Sequence, residues 1–345
     1  MADGITIRAD GFHEMAAAED VAIWWEREGR QAQRLTGTET LAEMLVKAGM
    51  DWEYEARAVR FMATDAAGQR TARKFPGRVI LVRSDSGVGL SDVSDRYKVR
   101  QPREIAGFFE DLIRQAGYRM NSLGTLHGGT KLWAQADIDS GSLLPGDVQK
   151  ARLLLADSCD GTMRTTARFV NESVVCANTL SMAMNETGGR SVEVSHRSVF
   201  NASAVKKQLG LAIGAFERFM RDAAEMSKCP VSPEDQRMFF ATLLGADYSY
   251  ESLTGPRRDA VSEANEKVME GYRFKQFMES LTDAGGADLP GRAGTVWGMV
   301  NAVTHSIDHK SRGRTVDNRI DSALFGPGSD LKAKAFDAAL AILAA

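Results

Sequence analysis

Two groups of residues in this chain have the types and spacing to do chemistry. The first is basic. Between Arg60 and Arg103 stand Arg60, Arg70, Arg73, Lys74, Arg78, Arg83, Arg96, Lys98, Arg100 and Arg103, against Asp65, Asp85, Asp92 and Asp95, a local net charge of +6. Cations on neighbouring strands form a stripe that neutralises phosphates and releases their counterions, so the binding they give depends on salt. Phe75 and Tyr97 lie in the same segment and offer ring faces on which bases stack. The plainer reading is a solvated sheet face carrying surface ion pairs, each worth little.

The second group lies between Thr295 and His309. Asn301, His305 and Asp308 fall on one side of a helix, with Thr304 and His309 slightly off that line. Lys310, Arg312 and Arg314 follow directly and, with Lys131, extend the basic set. Two histidines and an acid within five residues suit a metal ion, which would make the chain a metal-dependent enzyme acting on nucleic acid. With no more distant third ligand, the pattern falls short of the zinc motif that carries a glutamate base. The structural alternative is a hydrogen-bonded polar seam between this helix and a sheet. Asn301 and Asp308 sit beside apolar Val300, Val303 and Ile307. A buried amide or carboxylate left unpaired costs about 1–3 kcal/mol, so both are expected to find partners.

Other candidates carry less. His127 sits at a hairpin tip and His196 after a short strand, and neither has a Ser or Cys in a nucleophile elbow, so a hydrolase triad is rejected. Cys176, beside Val174 and Val175, reads as a small core residue. Gly87-Val88-Gly89 does not follow a strand and open a helix, as a dinucleotide site requires. No catalytic residue, resident metal or cofactor is assigned.

The elements that must position these groups are strands first and helices after. Ser86-Gly87, Gly128-Gly129 and Asp160-Gly161 are hairpin signals, because such dipeptides accept the positive φ that tight turns need. They imply strands at about 118–126, 130–137, 151–157 and 163–170. A leading hairpin covers 52–75, Pro76-Gly77 turns the chain into Val79–Val82, and strands follow at 88–93 and 97–99. The sheet is expected to hold roughly six to eight strands. One helix is inserted, opened by Gln101-Pro102-Arg103-Glu104, apolar at Ile105, Phe108, Phe109, Leu112 and Ile113, and ended by Gly117. A shorter helix follows Thr38 and stops at Gly49. Beyond Ser173 the period turns helical, over 174–184, 202–226, 257–282, 294–309 and 330–344, with a further start at Ser232-Pro233 and a short strand at 191–195.

The fold class is therefore α+β: an antiparallel sheet of hairpins with one inserted helix, then a mostly helical C-terminal half. The expected division is an N-terminal arm over 1–37, a sheet domain over 38–200 and a helical region over 201–345. Ile23-Trp24-Trp25 is expected to dock on the body, and Gly285-Gly286 through Gly291 is the best linker candidate.

At 43% hydrophobic and 26% charged residues over 345 positions, the composition is globular and long enough for a substantial core. A net charge of −3 means that any polyanionic partner must meet a local basic surface. Cys159, Cys176 and Cys229 have no paired spacing, which fits reduced thiols in a cytoplasm. The acidic and basic residues before Glu19 leave no apolar leader core, and no apolar run approaches the ~20 residues of a bilayer span.

Four runs carry a resemblance: Gly124-Thr-Leu-His-Gly-Gly-Thr-Lys-Leu-Trp133-Ala, Asp160-Gly161-Thr, Val174-Val-Cys176-Ala-Asn178-Thr179-Leu180, and Trp297-Gly-Met-Val-Asn301-Ala-Val-Thr304 through Asp308-His309. Together, over about residues 20–340, they resemble the phage- and plasmid-like proteins of the domain-of-unknown-function 932 family. Ser173 stands where that family usually has arginine, and His305 where it usually has an acid. The resemblance implies a gene of mobile elements and tilts the expected partner toward DNA, while supplying no mechanism. It also marks Asn178, Thr179, Asn301, His305, Asp308 and His309 as a polar signature cluster, expected to meet where the helix docks on the sheet.

The expected function is that of a non-enzymatic, single-stranded-DNA-binding or annealing factor that assembles into homo-oligomers through sheet edges. A host or phage protein partner is the remaining alternative. A site that neutralises about five phosphates should show a log–log salt slope near −3.5 on single strands.

Overall fold

The computed structural model describes residues 7–19, 31–173, 178–181, 191–210, 214–248 and 255–344. Two sheets form the first half. The large one runs, in spatial order, through β10 (Asn178–Ser181), β9 (Thr165–Ser173), β8 (Asp147–Ser158), β7 (Lys131–Leu144), β6 (Arg119–Leu126), β1 (Met15–Ala18) and β2 (Gln33–Leu35); β11 (Val192–Val194) shares the outer side of β9 with β10. The small sheet holds β3 (Tyr54–Thr64), β4 (Arg70–Arg83) and β5 (Gly89–Ser94). Among the described strands only β1 and β2 pair in parallel. The architecture is the expected α+β fold. The stretch before residue 38, read as an arm, supplies two strands of the large sheet.

The three hairpin dipeptides join β4 to β5, β6 to β7 and β8 to β9. The sequence reading missed the β7–β8 turn at Pro145-Gly146. Both strands run past the apolar stretches that revealed them, β7 on through Asp139, Ser140 and Ser142 and β8 from Asp147, and the ladder shifts register twice along that extension. The 97–99 strand does not form; there Tyr97 instead stacks on His196.

Helix α1 (Leu41–Ala48) carries a capping box between Thr40 and Glu43. The inserted helix is broken into α2 (Pro102–Gly107) and α3 (Glu110–Ala116). Phe108 and Phe109, between them, are both buried. A continuous helix turns consecutive side chains about 100° apart, and the break lets both rings face the core. C-terminally come α4 (Ala202–Gly210), α5 (Ala215–Lys228), α6 (Pro233–Leu243), α7 (Pro256–Glu270), α8 (Tyr272–Asp283) and α9 (Val296–His305). A π-helical turn at Ser306–Lys310, α10 (Val316–Leu324) and α11 (Pro327–Ala344) complete the chain. The expected 257–282 helix is thus two, and Asn178–Ser181, expected as helix, is a strand paired with β9. The Trp24-Trp25 pair and Cys176 lie outside the described residues.

Both faces of the large sheet are covered. Leu123, Leu132, Leu153 and Leu155 meet α1, α2, α4 and the small sheet. Leu126, Trp133, Leu154 and Val170 meet Ile320 and Leu324 of α10. A second core gathers Phe219, Phe240, Phe277, Trp297 and Phe336 from the C-terminal helices. No helix among the described residues is long and apolar enough to cross a membrane.

Candidate functional site

β3 and β4 continue well past the end of their neighbour. β5 pairs with β4 only from Arg78 to Val82, so from Arg60 to Lys74 the small sheet is a two-stranded ribbon. Every residue from Arg60 to Gly77 is exposed except half-buried Ala63. Such a ribbon is marginal in water on its own, and this one buries neither face. Its register steps from Ala58–Val79 to Arg60–Lys74, which leaves Phe75 to Arg78 opposite Val59 alone. Pro76 has no N–H to give the ladder and Gly77 takes a φ of 72°. The pair therefore makes a bulge inside β4, where a turn between two strands was expected. At the tip, Asp65 accepts from the N–H groups of Ala67 and Gln69, both at 2.9 Å.

Side chains opposite one another share a face. One face of the arm presents Arg60, Met62, Arg70 and Lys74; the other presents Phe61, Arg73 and Phe75. Phe61 and Phe75 meet edge to face with centroids 6.4 Å apart, and each is 47% exposed. Arg60, Arg70, Arg73 and Lys74 make no ion pair with any described residue. The exposed cations and rings lie on a ribbon that buries neither face, so core packing does not account for them.

The rest of the basic set divides. Arg96 and Lys98 are exposed at the base of the small sheet. Arg78 closes on Asp92 through Nε and Nη2 at 3.0 and 2.7 Å. Arg83 and Arg100 are buried, so neither lies on a surface stripe. Arg83 bonds Glu14, Asp85 and Gly128 O and lies over the Trp52 ring, and Arg100 donates to Ser198 O. Lys131 pairs with Asp321, and Lys310 with Glu279 and Asp283. Arg312 lies over the exposed Tyr272 ring, and Arg314 is exposed.

The signature runs do meet in part. Asp308, fully buried, accepts from the Thr179 N–H at 2.7 Å and from the Thr179 hydroxyl at 3.2 Å. Its other oxygen takes the Lys332 ammonium at 2.6 Å, and Lys332 also donates to Thr179 Oγ1 at 2.9 Å. Burial lowers the Lys332 pKa, and Asp308 opposes that shift. Asn301 donates from Nδ2 to Trp297 O one turn back, within its own helix. His305 and His309 stack with centroids 4.7 Å apart. The described residues hold no group of three or more His, Cys, Asp or Glu side chains that could bind a metal ion. Asn178 contributes backbone pairing with Ser173.

A second buried network ties the same helix to the sheet. Arg292 grips Asp147 through Nε at 2.9 Å and Nη2 at 2.5 Å, and reaches Ser173 Oγ at 2.6 Å. Trp297 Nε1 and Gln149 Nε2 also donate to Asp147. The glycine-rich stretch before Arg292, read as a linker, is thereby pinned to the sheet. Gly298 follows for a steric reason: a Cβ there would collide with the Arg292 carbonyl.

His127 has a φ of 53°, the one positive value among described non-glycine residues. Its N–H donates to Asp317 at 2.5 Å, its Nε2 lies 3.5 Å from Asp321, and Lys131 pairs with Asp321. The Asp321 hydrogen bond raises the His127 pKa, against desolvation; burial raises that of Asp317. A raised folded-state pKa means that the protonated ring stabilises the fold fully below the ordinary histidine value, and that the gain fades as pH rises through the folded value. His127→Asn keeps a residue that tolerates positive φ. We expect the melting-temperature gap between wild type and His127→Asn to be widest below pH ~6.5 and to close in alkali; a gap independent of pH would contradict this.

A family model described as a domain of unknown function (DUF932) matches residues 89–324, the greater part of the chain. The chain belongs to the DUF932 family. No curated protein and no solved structure matches it. The DUF932 match includes Thr179, Asp308, Asp147, Arg292, His127 and Asp321, and excludes both the arm and Lys332. Within that match, His127, Thr179 and Asp308 are polar residues that tie helices to the sheet. Gly124, opening the first run, is crossed so closely by β1 that a Cβ would stand 2.7 Å from that of Met15.

Sequence reasoning missed Asp147, Arg292, Glu14, Asp317, Asp321 and Lys332. One signal was present: Lys332 falls in line with buried Ala335, Phe336 and Ala339 on α11, and a lysine inside an apolar stripe needs a buried acid.

Proposed function

We propose that this DUF932 protein binds single-stranded DNA through the β3–β4 arm. The observation that carries the reading is that arm residues Arg60 to Gly77 are solvent-exposed on both faces. There, four cations without carboxylate partners among the described residues flank an exposed phenylalanine pair. Cations supply salt-dependent attraction to phosphates, and each base stacked on a ring is worth about 1–3 kcal/mol without regard to its identity. Unpaired bases alone offer ring faces to Phe61 and Phe75, which favours single strands over duplex.

The setting is a cytoplasmic DNA transaction of phage- or plasmid-type mobile elements, strand binding or annealing in recombination, which rests on the resemblance of the signature runs. Assembly of several copies would use the open edges at β2 and β3, the ends of the two sheet paths; light scattering coupled to gel filtration reads the copy number, and a strict monomer with and without DNA would remove that part.

The test of the arm is a variant with Arg60, Arg70, Arg73 and Lys74 all changed to Gln. Losing four phosphate contacts near 0.15 M salt weakens single-strand affinity by about two hundredfold. The melting temperature should be unchanged, because none of the four has a structural partner. Equal affinities in fluorescence anisotropy would remove the arm from the account.

A further inference from the structure

We propose that the cleft between β9, β11 and the first turn of α11 is a phosphate-binding site built on Arg168. The cleft measures about 400 Å³ and is lined by Thr166, Arg168, Ser191, Phe325 and Ser329, with Asp330 and the Arg164–Glu193 pair at its rim. It is separate from the arm and independent of the DNA-binding reading.

Arg83, Arg152 and Arg292 are buried, and each closes on a carboxylate. Arg168, half-buried in β9, makes no ion pair with any described residue. Its Nη1 donates to Ser329 Oγ at 3.3 Å, its guanidinium lies 5.7 Å from the Phe325 ring centroid, and its enclosed Nε has no acceptor among the described residues. Desolvation pushes its pKa down to about 10, with the more distant Asp330 and Glu193 acting the other way. Lys332 is a buried cation near it, and Asp308 is already that lysine's partner, so that carboxylate does not serve Arg168. A half-buried guanidinium in a cleft without a direct ion pair is left short of acceptors, and an anion held beside it supplies them.

The donor set selects the anion. Arg168 offers a planar fork, and the cleft adds the hydroxyls of Ser329, Ser191 and Thr166, of which the last two now donate to Glu193 and to Arg164 O. The first turn of α11, an 18-residue helix, brings its positive end to the same place. A carboxylate has two oxygens to use against these donors, whereas a tetrahedral phosphate has more and engages them more fully. Glu193 is held by Arg164, and Asp330 leaves one carboxylate on the rim. That rim charge disfavours a polyphosphate and favours a single phosphate group, either inorganic or the monoester of a nucleotide.

Isothermal titration of the full chain with inorganic phosphate and with a deoxynucleoside 5′-monophosphate, against chloride at matched ionic strength, tests the site. Wild type should bind at least one of them at millimolar concentration or better. Arg168→Gln should lose about tenfold or more, and Ser329→Ala a smaller factor. Tighter binding of the nucleotide names a monoester as the source, and equal binding names the phosphate group itself. If Arg168→Gln does not fold, Arg168→Lys, which keeps the charge but loses the fork, should still weaken binding. The four-fold arm variant should bind phosphate as wild type does, which keeps this site distinct from the arm. No phosphate heat in wild type, or undiminished binding in both Arg168 variants and Ser329→Ala, overturns the proposal.

Discussion

Asp308→Ala should destabilise the protein by about 3–5 kcal/mol in denaturant unfolding, because it strands the Lys332 ammonium in the interior. Asp308 and Lys332 are both essentially shut off from water, 2.6 Å apart, with Thr179 bonded to each. The carboxylate is the one acid that answers the lysine, and a neutral Thr179 hydroxyl cannot replace it. Lys332→Met should cost less, since Asp308 keeps the N–H and hydroxyl of Thr179. Replacing both by leucine should recover much of the loss, as removing a buried pair outright is often near neutral. A loss below about 1 kcal/mol for Asp308→Ala, the size of a surface pair, would mean that the contact is not the buried lock described.

Arg292→Met should have a comparable effect, with a local signature besides. The guanidinium is the main donor to buried Asp147, and it also reaches Ser173 and Gly285 O. Without it, Asp147 retains only the Trp297 and Gln149 side chains, and the stretch from Gly285 to Gly291 loses its anchor. Arg292→Lys should not rescue, because one ammonium cannot reproduce a fork that holds a carboxylate and a hydroxyl together. We expect about 3–5 kcal/mol of destabilisation and new protease cleavage within that loop under native conditions. Wild-type resistance to cleavage in both variants would contradict the anchoring role.

These locks show which parts of the fold were legible in sequence and which were not. Turn chemistry is local, so Asp160-Gly161 and Gly128-Gly129 marked their hairpins, and Ser232-Pro233 with Asp235 marked the start of α6 through a complete capping box. Pairing at the sheet edge is not local: Asn178–Ser181 became a strand because β9 offered an open side, which no property of those four residues announces. Asp308 was expected to need a partner in the 174–180 run and has Thr179; its second partner lies on α11, and only tertiary packing joins them. The glycines near 285–291 suggested a linker, yet Arg292 at their end turns inward to an acid 145 residues away.

The basic stretch shows the same limit from the other side. Its composition was plain, and the division of its members was not. Arg83 and Arg100 are internal, Arg78 is matched by Asp92 across the β4–β5 ladder, and Arg60, Arg70, Arg73 and Lys74 project. Only the register of β3 on β4 separates these fates, since it decides which arginine meets an aspartate and which passes beyond the end of β5. Four cations unmatched among the described residues, one fewer than the five phosphate contacts expected from the sequence, reduce the expected salt slope.

The most direct test of the account is therefore a salt titration of single-stranded oligonucleotide binding by fluorescence anisotropy, for wild type and the four-fold arm variant side by side. The arm predicts a log–log slope near about −2.8 for wild type, from four contacts, and a much shallower slope with weak binding for the variant. Absence of binding at low salt, or one slope shared by both proteins, would contradict it.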